Sequence, residues 1–317
     1  MKRTNPFEYA PFHPLVSIIG LSCLFVFFSV IGQLFCAKIL HYMYGYDLSD
    51  VKTLLLNPEE FPEGRIALLI NHAVGTIIFG FITTCIVWVK IFEKQSFQVY
   101  FQTIPSAIFK LLVLSILITW ASNPLNSILV AINKKMILPE TLSALEGQIK
   151  SMEQNAEKLT QYLVDFNNTK ELFLALLVMG ILTGIGEELF FRGSLQNKLE
   201  AWFRNPHLAI LICAFIFSAL HFQFYGFLPR MALAILFGYL YFWSRCLWVP
   251  IIAHTANNSL SVIAMYYTKT YPKTQEIIEP TDGMPWHVVL ISSAFLALLL
   301  YYFYTENKVK NSTALDS

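Results

Sequence analysis

The chain has 317 residues, of which 56% are hydrophobic and only 14% charged, and its net charge is +1. A soluble domain of this length needs more charged residues to cover its surface, so the composition excludes an ordinary soluble protein and a disordered chain. The nearly balanced charge, with no basic cluster, argues against a nucleic-acid partner. We therefore expect a protein whose main partner is the lipid bilayer.

Apolar segments long enough to cross a membrane recur along the whole chain. A helix needs about 20 mostly apolar residues to cross about 30 Å of hydrocarbon. The sequence therefore predicts an all-α fold class, a polytopic transmembrane helix bundle of about eight spans. The predicted spans are residues 15–40, 66–92, 108–132, 171–197, 206–222, 229–245, 248–267 and 287–304.

Two of these spans are irregular. Residues 206–222 form the shortest one, and Asn123, Pro124 and Asn126 interrupt residues 108–132. Proline removes a backbone hydrogen bond from a helix, so we expect these segments to be kinked, tilted or partly re-entrant.

The segment 137–170 differs from the spans, because its leucines recur at helical spacing among charged residues. This pattern predicts an amphipathic extramembrane helix, either a connector packed on the bundle or a lid that controls substrate access. The chain then divides into N-terminal transmembrane helices (1–136), the amphipathic connector (137–170), a transmembrane core (171–268) and a C-terminal span with its tail (269–317).

Lysine and arginine close to span ends predict the orientation, because they tend to stay in the cytoplasm. With eight spans, the acidic loop 47–63 falls on one side, together with Lys134, Lys135, Lys269 and Lys273. We expect both termini on the opposite, cytoplasmic side, in the cell membrane if the chain is bacterial. That side carries Lys2, Arg3, Lys90, Lys94, Lys198, Arg204, Arg245, Lys308 and Lys310.

The fourth predicted span contains two adjacent carboxylates and an arginine, which are costly inside a membrane. Glu188 and Arg192 are four residues apart and share a helix face, so they can form an ion pair. Glu187 points about 100° away and is free to serve another purpose. Gly184 and Gly186 permit close approach of neighbouring helices. A buried ion pair without any chemistry is the alternative interpretation.

Two histidines lie at membrane depth on later spans. His221 follows Phe217 by four residues, and Asn258 follows His254 by four residues. A lone intramembrane histidine is often only a hydrogen-bonded core residue. Together with Glu187, however, the two histidines form a convergent set that can polarise water. His254 and Asn258 share a helix face and can donate toward one point, as an oxyanion site requires.

Taken in order, Glu-Glu-x-x-x-Arg, Phe-x-x-x-His and His-x-x-x-Asn on successive membrane helices resemble the CPBP family of intramembrane proteases. That family includes the CAAX prenyl endopeptidases of the Rce1 type and bacterial Abi proteins linked to bacteriocin processing or self-immunity. The resemblance covers roughly residues 170–268, and the other spans match in hydropathy only. It implies an intramembrane endopeptidase that hydrolyses membrane-associated or prenylated, CAAX-type peptides by activated-water attack.

The resemblance also implies a role for each matching residue. Glu187 would be the general base that activates water, and His221 would share that water or donate a proton. His254 and Asn258 would form the oxyanion site. Three further residues would support the site or bind substrate, namely Glu188 and Arg192 as a positioning pair and Phe217 packed beside it.

Two versions of this chemistry are open, one with a divalent metal such as zinc and one without. With a metal, Glu187, His221 and His254 would supply the three protein ligands of a catalytic zinc site. Without one, Glu187 would activate water directly, which is the version we prefer. Either version needs a water-filled cavity in the bundle, and we expect it to open to the cytoplasmic side.

Two other functions compete with the protease interpretation. A non-catalytic membrane binding or immunity protein would keep the pocket and sequester a peptide or a partner's helix. A small transporter would use the carboxylate and histidines as a proton relay, although no inverted repeat supports this.

Overall fold

The computed structural model describes residues 12–101, 104–136, 139–166, 168–271 and 283–313. These residues are predominantly helical and include no strand, so the predicted all-α fold class is confirmed. Ten helices longer than one turn follow one another in the described chain. They are α1 (Pro14–Tyr44), α2 (Leu48–Leu54), α3 (Gly64–Phe92), α4 (Ile108–Lys134), α5 (Ser143–Val164), α6 (Thr169–Phe203), α7 (Pro206–Ala219), α8 (Phe227–Ser244), α9 (Trp248–Thr270) and α10 (Trp286–Thr313).

Helix boundaries follow from local chemistry. Pro14 begins α1, where its fixed φ suits the first helical turn, and Gly45 ends it with a φ of +76°. Pro206 begins α7 in the same way, and the side chain of Asn205 accepts hydrogen bonds from the next two backbone N–H groups. α4 continues through Pro124 without interruption, so the break predicted there is a proline within one helix.

Within the described residues, six helices are long and apolar enough to cross a membrane, namely α1, α3, α4, α6, α8 and α10. Their outer faces carry exposed apolar side chains, such as Val26 in α1 and Ile291 in α10, as lipid-facing helices do. The other two predicted spans are helices too. α7 has 14 residues, or about 21 Å at the usual rise of about 1.5 Å per residue, and α9 has 23 residues with a polar stretch at its centre. The chain is an integral, multi-pass membrane protein.

The core of the bundle is aromatic where α3, α6 and α7 meet. Phe81 of α3 packs edge-on against Phe190 of α6 at 5.4 Å between ring centroids. Phe191 of α6 packs in the same way against Phe217 of α7 at 4.9 Å. Such pairs stabilise helix contacts beyond simple area burial. They fix α6 against both neighbours immediately beside its two carboxylates.

Ion pairs between helix ends mark one face of the bundle, which we call the terminal face because α1 begins and α10 ends there. Lys198 at the end of α6 contacts Glu93 after α3 at 2.7 Å. At the same level, Lys110 of α4 contacts Glu306 of α10 at 2.8 Å. Phe12, next to the start of α1, packs on Trp88 near the end of α3.

The opposite face, which we call the α5 face, carries the amphipathic helix. Arg65 of α3 contacts Glu171 of α6 at 2.5 Å and donates from Nε to the carbonyl of Tyr162 in α5. The hydroxyl of Tyr162 in turn donates to the carbonyl of Pro58. The amphipathic helix predicted over 137–170 thus exists as Ser143–Val164, and its C-terminal half is docked on the bundle.

Part of the orientation prediction cannot be followed in the structure. Lys2, Arg3 and Lys273 lie outside the described residues, and the side chains of Lys308 and Lys310 are not described either. Which face is cytoplasmic therefore stays a prediction.

Candidate active site

Helix α6 changes its winding around the two carboxylates. A regular α-helical turn, Thr183–Glu188, lies between two π-helical stretches, Leu176–Leu182 and Leu189–Gln196. Such wide turns often occur at functional sites, because they shift the side chains that share a helix face.

Two glycines let α6 lie close to its neighbours, as the sequence predicts. A methyl group at Gly184 would lie 2.6 Å from the hydroxyl oxygen of Thr255 in α9. At Gly186 it would lie 2.6 Å from Cγ2 of Ile77 in α3. Real side-chain carbons do not come this close, so only glycine fits at these two contacts. The turn that carries Glu187 and the helix that carries His254 are therefore held in direct contact.

Glu188 and Arg192 form the predicted ion pair. Nη1 of Arg192 donates to Oε1 of Glu188 at 2.7 Å, and the two side chains are 1% and 0% exposed. Arg192 also donates from Nη2 to the carbonyl of Ala234 in α8 at 2.8 Å. The pair therefore links α6 to α8 behind the site, at a depth where neither charge could remain alone.

His254 lies between the two carboxylates. Its Nδ1 is 2.8 Å from Oε1 of Glu188, and its Nε2 is 3.7 Å from Oε2 of Glu187. A carboxylate only accepts hydrogen bonds, so Nδ1 carries a proton and the neutral ring has its lone pair at Nε2. Phe237 stacks on the ring at 5.3 Å. The predicted oxyanion role of His254 therefore requires the doubly protonated imidazolium.

The same reasoning fixes the tautomer of His221, which follows α7 in an exposed turn. Its Nδ1 is 2.8 Å from the carbonyl oxygen of Phe217, so Nδ1 donates and Nε2 carries the lone pair. Phe217 also packs against the His221 ring at 4.9 Å, as expected for a residue beside the site. His221 in its neutral form is thus an acceptor for water, and proton donation from it would require the imidazolium.

Asn258 lies one turn after His254, and its side-chain amide already makes two hydrogen bonds. Its amide nitrogen donates to the carbonyl of Met179 in α6 at 3.2 Å, and its oxygen accepts from Asn257. An amide nitrogen has two hydrogens, so one of them is available to a substrate. The contact with Met179 adds a second tie between α6 and α9.

These side chains surround one cavity of about 290 Å³. All four residues predicted as catalytic line it, while Glu188 and Arg192 lie behind its wall. The full lining consists of Asn126, Thr183, Glu187, Phe217, His221, Gly226, Pro229, Arg230, Leu233, Phe237, His254, Asn257 and Asn258. A polar cavity inside a membrane bundle is the setting that hydrolytic chemistry requires.

Several lining residues are absent from the sequence-based set. Arg230 stands second in the predicted span 229–245, where an interfacial arginine is ordinary, so the sequence gives no reason to single it out. Asn126 belongs to the polar group around Pro124, which we interpreted as an irregularity of the helix. Thr183 also lines the cavity, and its hydroxyl accepts from Nε2 of His72, which lies outside the lining, at 3.1 Å.

The three ligands proposed for a metal do not form a metal site as they are placed. Within the described ranges, no group of three His, Cys, Asp or Glu side chains is arranged to hold a metal ion. Glu187, His221 and His254 line the same cavity, and we derive no step through a metal.

The mouth of the cavity lies on the α5 face. His221 and Gly226 belong to the turn between α7 and α8, and the backbone N–H of Tyr225 in that turn donates to Glu153 of α5 at 2.9 Å. A second cavity of about 640 Å³ lies between α5 and this turn and shares Gly226 and Pro229 with the first. The two cavities therefore adjoin at this turn.

The position of the cavity mouth on the α5 face conflicts with two of our expectations taken together. We expected cytoplasmic termini and also a cavity that opens to the cytoplasm. The termini belong to the terminal face and the mouth belongs to the α5 face. The two expectations are therefore incompatible, and only one of them can hold.

The fold and the cavity define a multi-pass membrane protein with a carboxylate–histidine site inside its helix bundle. Residues 169–260 match the family model described as Rce1-like, type II CAAX prenyl endopeptidase. This range is less than a third of the chain and includes every residue of the predicted site, so the similarity to the Rce1-like family lies in the segment that forms the cavity. Comparisons with curated proteins and with solved structures gave no match.

Proposed function

We propose that the protein is an intramembrane endopeptidase in which Glu187 activates water to hydrolyse membrane-associated or prenylated, CAAX-type peptides. The observation that supports this most is that Glu187, His221, His254 and Asn258 line one cavity. The cavity lies within the segment that matches the protease family.

The reaction begins with a water molecule between Glu187 and the scissile carbonyl. Glu187 accepts a proton from this water while the water oxygen attacks the carbonyl carbon, and the carbonyl oxygen becomes an oxyanion. Glu187 then gives the proton to the peptide nitrogen as the C–N bond breaks. The products are a carboxylic acid and an amine, and Glu187 returns to its ionised form.

The neighbouring residues orient the reactants. The lone pair of His221 at Nε2 accepts the second water hydrogen, which turns the water's own lone pair toward the carbonyl. The free amide hydrogen of Asn258 and the imidazolium form of His254 donate to the oxyanion. Glu188, already bound to Arg192, stabilises that imidazolium from Nδ1.

Cleavage of a panel of quenched fluorescent peptides tests this proposal. The panel includes a prenylated peptide, the protein is reconstituted in lipid nanodiscs, and the products are analysed after reaction in ¹⁸O-water. We expect wild type to cleave with one ¹⁸O in the new carboxylate, and His221→Ala to lose about 100-fold or more in rate. A metal chelator should have no effect. Loss of activity with the chelator, restored by zinc, would contradict direct activation by Glu187.

A further inference from the structure

Arg230, on the first turn of α8, lines the same cavity as Glu187 and has one unsatisfied donor group. Its Nη2 donates to the side-chain oxygen of Gln223 in the preceding turn. Its Nη1 is buried and has no hydrogen-bond partner. A buried donor without a partner is costly, because it has lost its water and gained nothing in exchange.

The charge of Arg230 is also unpaired. Among the described residues, no carboxylate lies within 4.0 Å of its guanidinium. The contrast is Arg192, which has Glu188 at 2.7 Å in the same bundle. Glu187 and Glu153 offset the charge of Arg230 only at longer range. A permanent cation at such a site is stabilised by a group that the free protein does not supply.

We propose that Arg230 binds a carboxylate of the peptide substrate and so selects peptides that carry one near the scissile bond. This specificity role rests on the proposed endopeptidase function. A guanidinium fits a carboxylate with two parallel hydrogen bonds, and Nη1 is the group free to begin that contact. A cavity of about 290 Å³ is small, so the carboxylate must belong to a residue close to the one that Glu187 attacks.

A carboxylate that belongs to the bound substrate is a better partner for Arg230 than the oxyanion that forms during the reaction. The oxyanion exists only during the chemical step, whereas the charge of Arg230 is permanent and needs a counter-charge for as long as substrate is bound. A peptide offers two such groups, its C-terminal carboxylate and an acidic side chain. Arg230 therefore contributes to ground-state binding, which is measured by Kd and KM.

The surroundings hold Arg230 in place for this purpose. Gln223 fixes one end of the guanidinium by its hydrogen bond to Nη2. Gly226 leaves room beside it, since a methyl group there would lie 3.0 Å from Nη2. Both are positioning residues for the arginine, and both belong to the turn at the cavity mouth.

A binding assay that needs no cleavage tests the proposal. Three fluorescent peptides of one apolar sequence are compared on Glu187→Gln protein in nanodiscs: a free acid, its C-terminal amide, and an amide with Asp as its last residue. We expect the free acid to bind at least about tenfold more tightly than the plain amide, which corresponds to about 1.4 kcal/mol. The Asp amide then reports whether a side-chain carboxylate serves equally well.

Substitution of Arg230 must remove this preference. In the Glu187→Gln background, Arg230→Gln should bind all three peptides equally weakly, and Arg230→Lys should keep part of the preference. Arg204→Gln is the matched control, because Arg204 is exposed and lies on the terminal face. Thermal unfolding of each variant separates a lost contact from a lost fold. Equal binding of the free acid and the amide by the Arg230 protein would overturn the proposal.

Cleavage kinetics separate this proposal from the proposed function. For a free-acid peptide, Arg230→Gln should raise KM at least about tenfold with a much smaller change in kcat. An equal loss of kcat on all three peptides would overturn the proposal, because it would place Arg230 at the transition state. If wild type cleaves nothing but the preference in binding persists, the endopeptidase function fails and the carboxylate site stands.

Discussion

Glu187 and Glu188 are adjacent and chemically identical in type, yet their surroundings give them different roles. Glu188 is enclosed, and its Oε1 accepts from both Arg192 and His254. Glu187 faces the cavity, and Nε2 of His254 lies 3.7 Å from its Oε2. The difference arises because neighbouring helical residues point about 100° apart. One carboxylate builds the site and the other is free for chemistry.

The buried pair gives a stability prediction at this scale. Glu188→Gln leaves Arg192 without its counter-charge in a fully enclosed position, which should cost about 3–5 kcal/mol. Thermal and denaturant unfolding in detergent measure the loss. The matched control is Glu200→Gln, because the partner of Glu200 is the part-exposed Arg245 and such a pair contributes about 0–1 kcal/mol. Equal losses from both variants would contradict the structural role of Glu188.

The sequence predicts which residues form the site better than it predicts their tautomers and hydrogen-bond partners. Spacing places Glu188 and Arg192 on one face, and predicted membrane depth marks Glu187 and His254 as unusual. His221, predicted at the same depth, lies in the exposed turn after α7. The tautomer of His254 depends on Glu188, 66 positions away along the chain. The buried, unsatisfied donor of Arg230 likewise depends on which groups the other helices do not supply. Contacts between distant segments decide both, so no local pattern could indicate them.

At the scale of the element, the contact between α6 and α9 holds the site together. Gly184→Val should place a methyl carbon against Thr255, next to His254, and push the two helices apart. Overpacking of this kind costs about 1–3 kcal/mol. We expect a lower melting temperature and at least a tenfold loss of peptide cleavage.

Gly147→Ala is the control for this variant. Gly147 lies in α5, and a methyl group there meets no atom within 4 Å. Alanine should therefore stabilise α5 by about 0.5–1 kcal/mol and leave cleavage unchanged. The packing account of Gly184 would be refuted if Gly184→Val cleaved peptides at the wild-type rate.

Hydropathy predicts the long helices well, because a helix that crosses the hydrocarbon layer needs about 20 mostly apolar residues. α1, for example, is Pro14–Tyr44 against a predicted 15–40. The criterion is weaker for α7, which has 14 residues, and for α9, whose centre is polar. The π-helical stretches of α6 had no signal in the sequence, because they respond to packing on α3 and α9.

At the scale of the whole molecule, the topology predicts that α5 and the terminal face lie on opposite sides of the membrane. Single cysteines at Gly147 and Arg204 in a cysteine-free background should react with a membrane-impermeant reagent from opposite sides. Our orientation prediction further expects Arg204→Cys to react from the cytoplasm. Labelling of both positions from one side would contradict a membrane crossing by α6, which lies between them in the chain.

The position of the cavity mouth is a property of the whole bundle. It depends on α7 ending early, on the turn around Tyr225 and on the docking of α5 by Glu153. Each feature belongs to a different part of the chain, and the sequence gives them no common signal. The amphipathic helix was predictable as an element, whereas its place beside the cavity mouth was not.

The central claim is that Glu187 performs the chemistry, and the most direct test compares cleavage by wild type and Glu187→Gln protein of equal thermal stability. The amide keeps the size of the side chain but cannot accept the proton from water. We predict that wild type cleaves a membrane peptide and that Glu187→Gln is at least about 100-fold slower. Cleavage at the wild-type rate by Glu187→Gln would contradict the account, and so would a biological effect that survives the substitution while no peptide is cut.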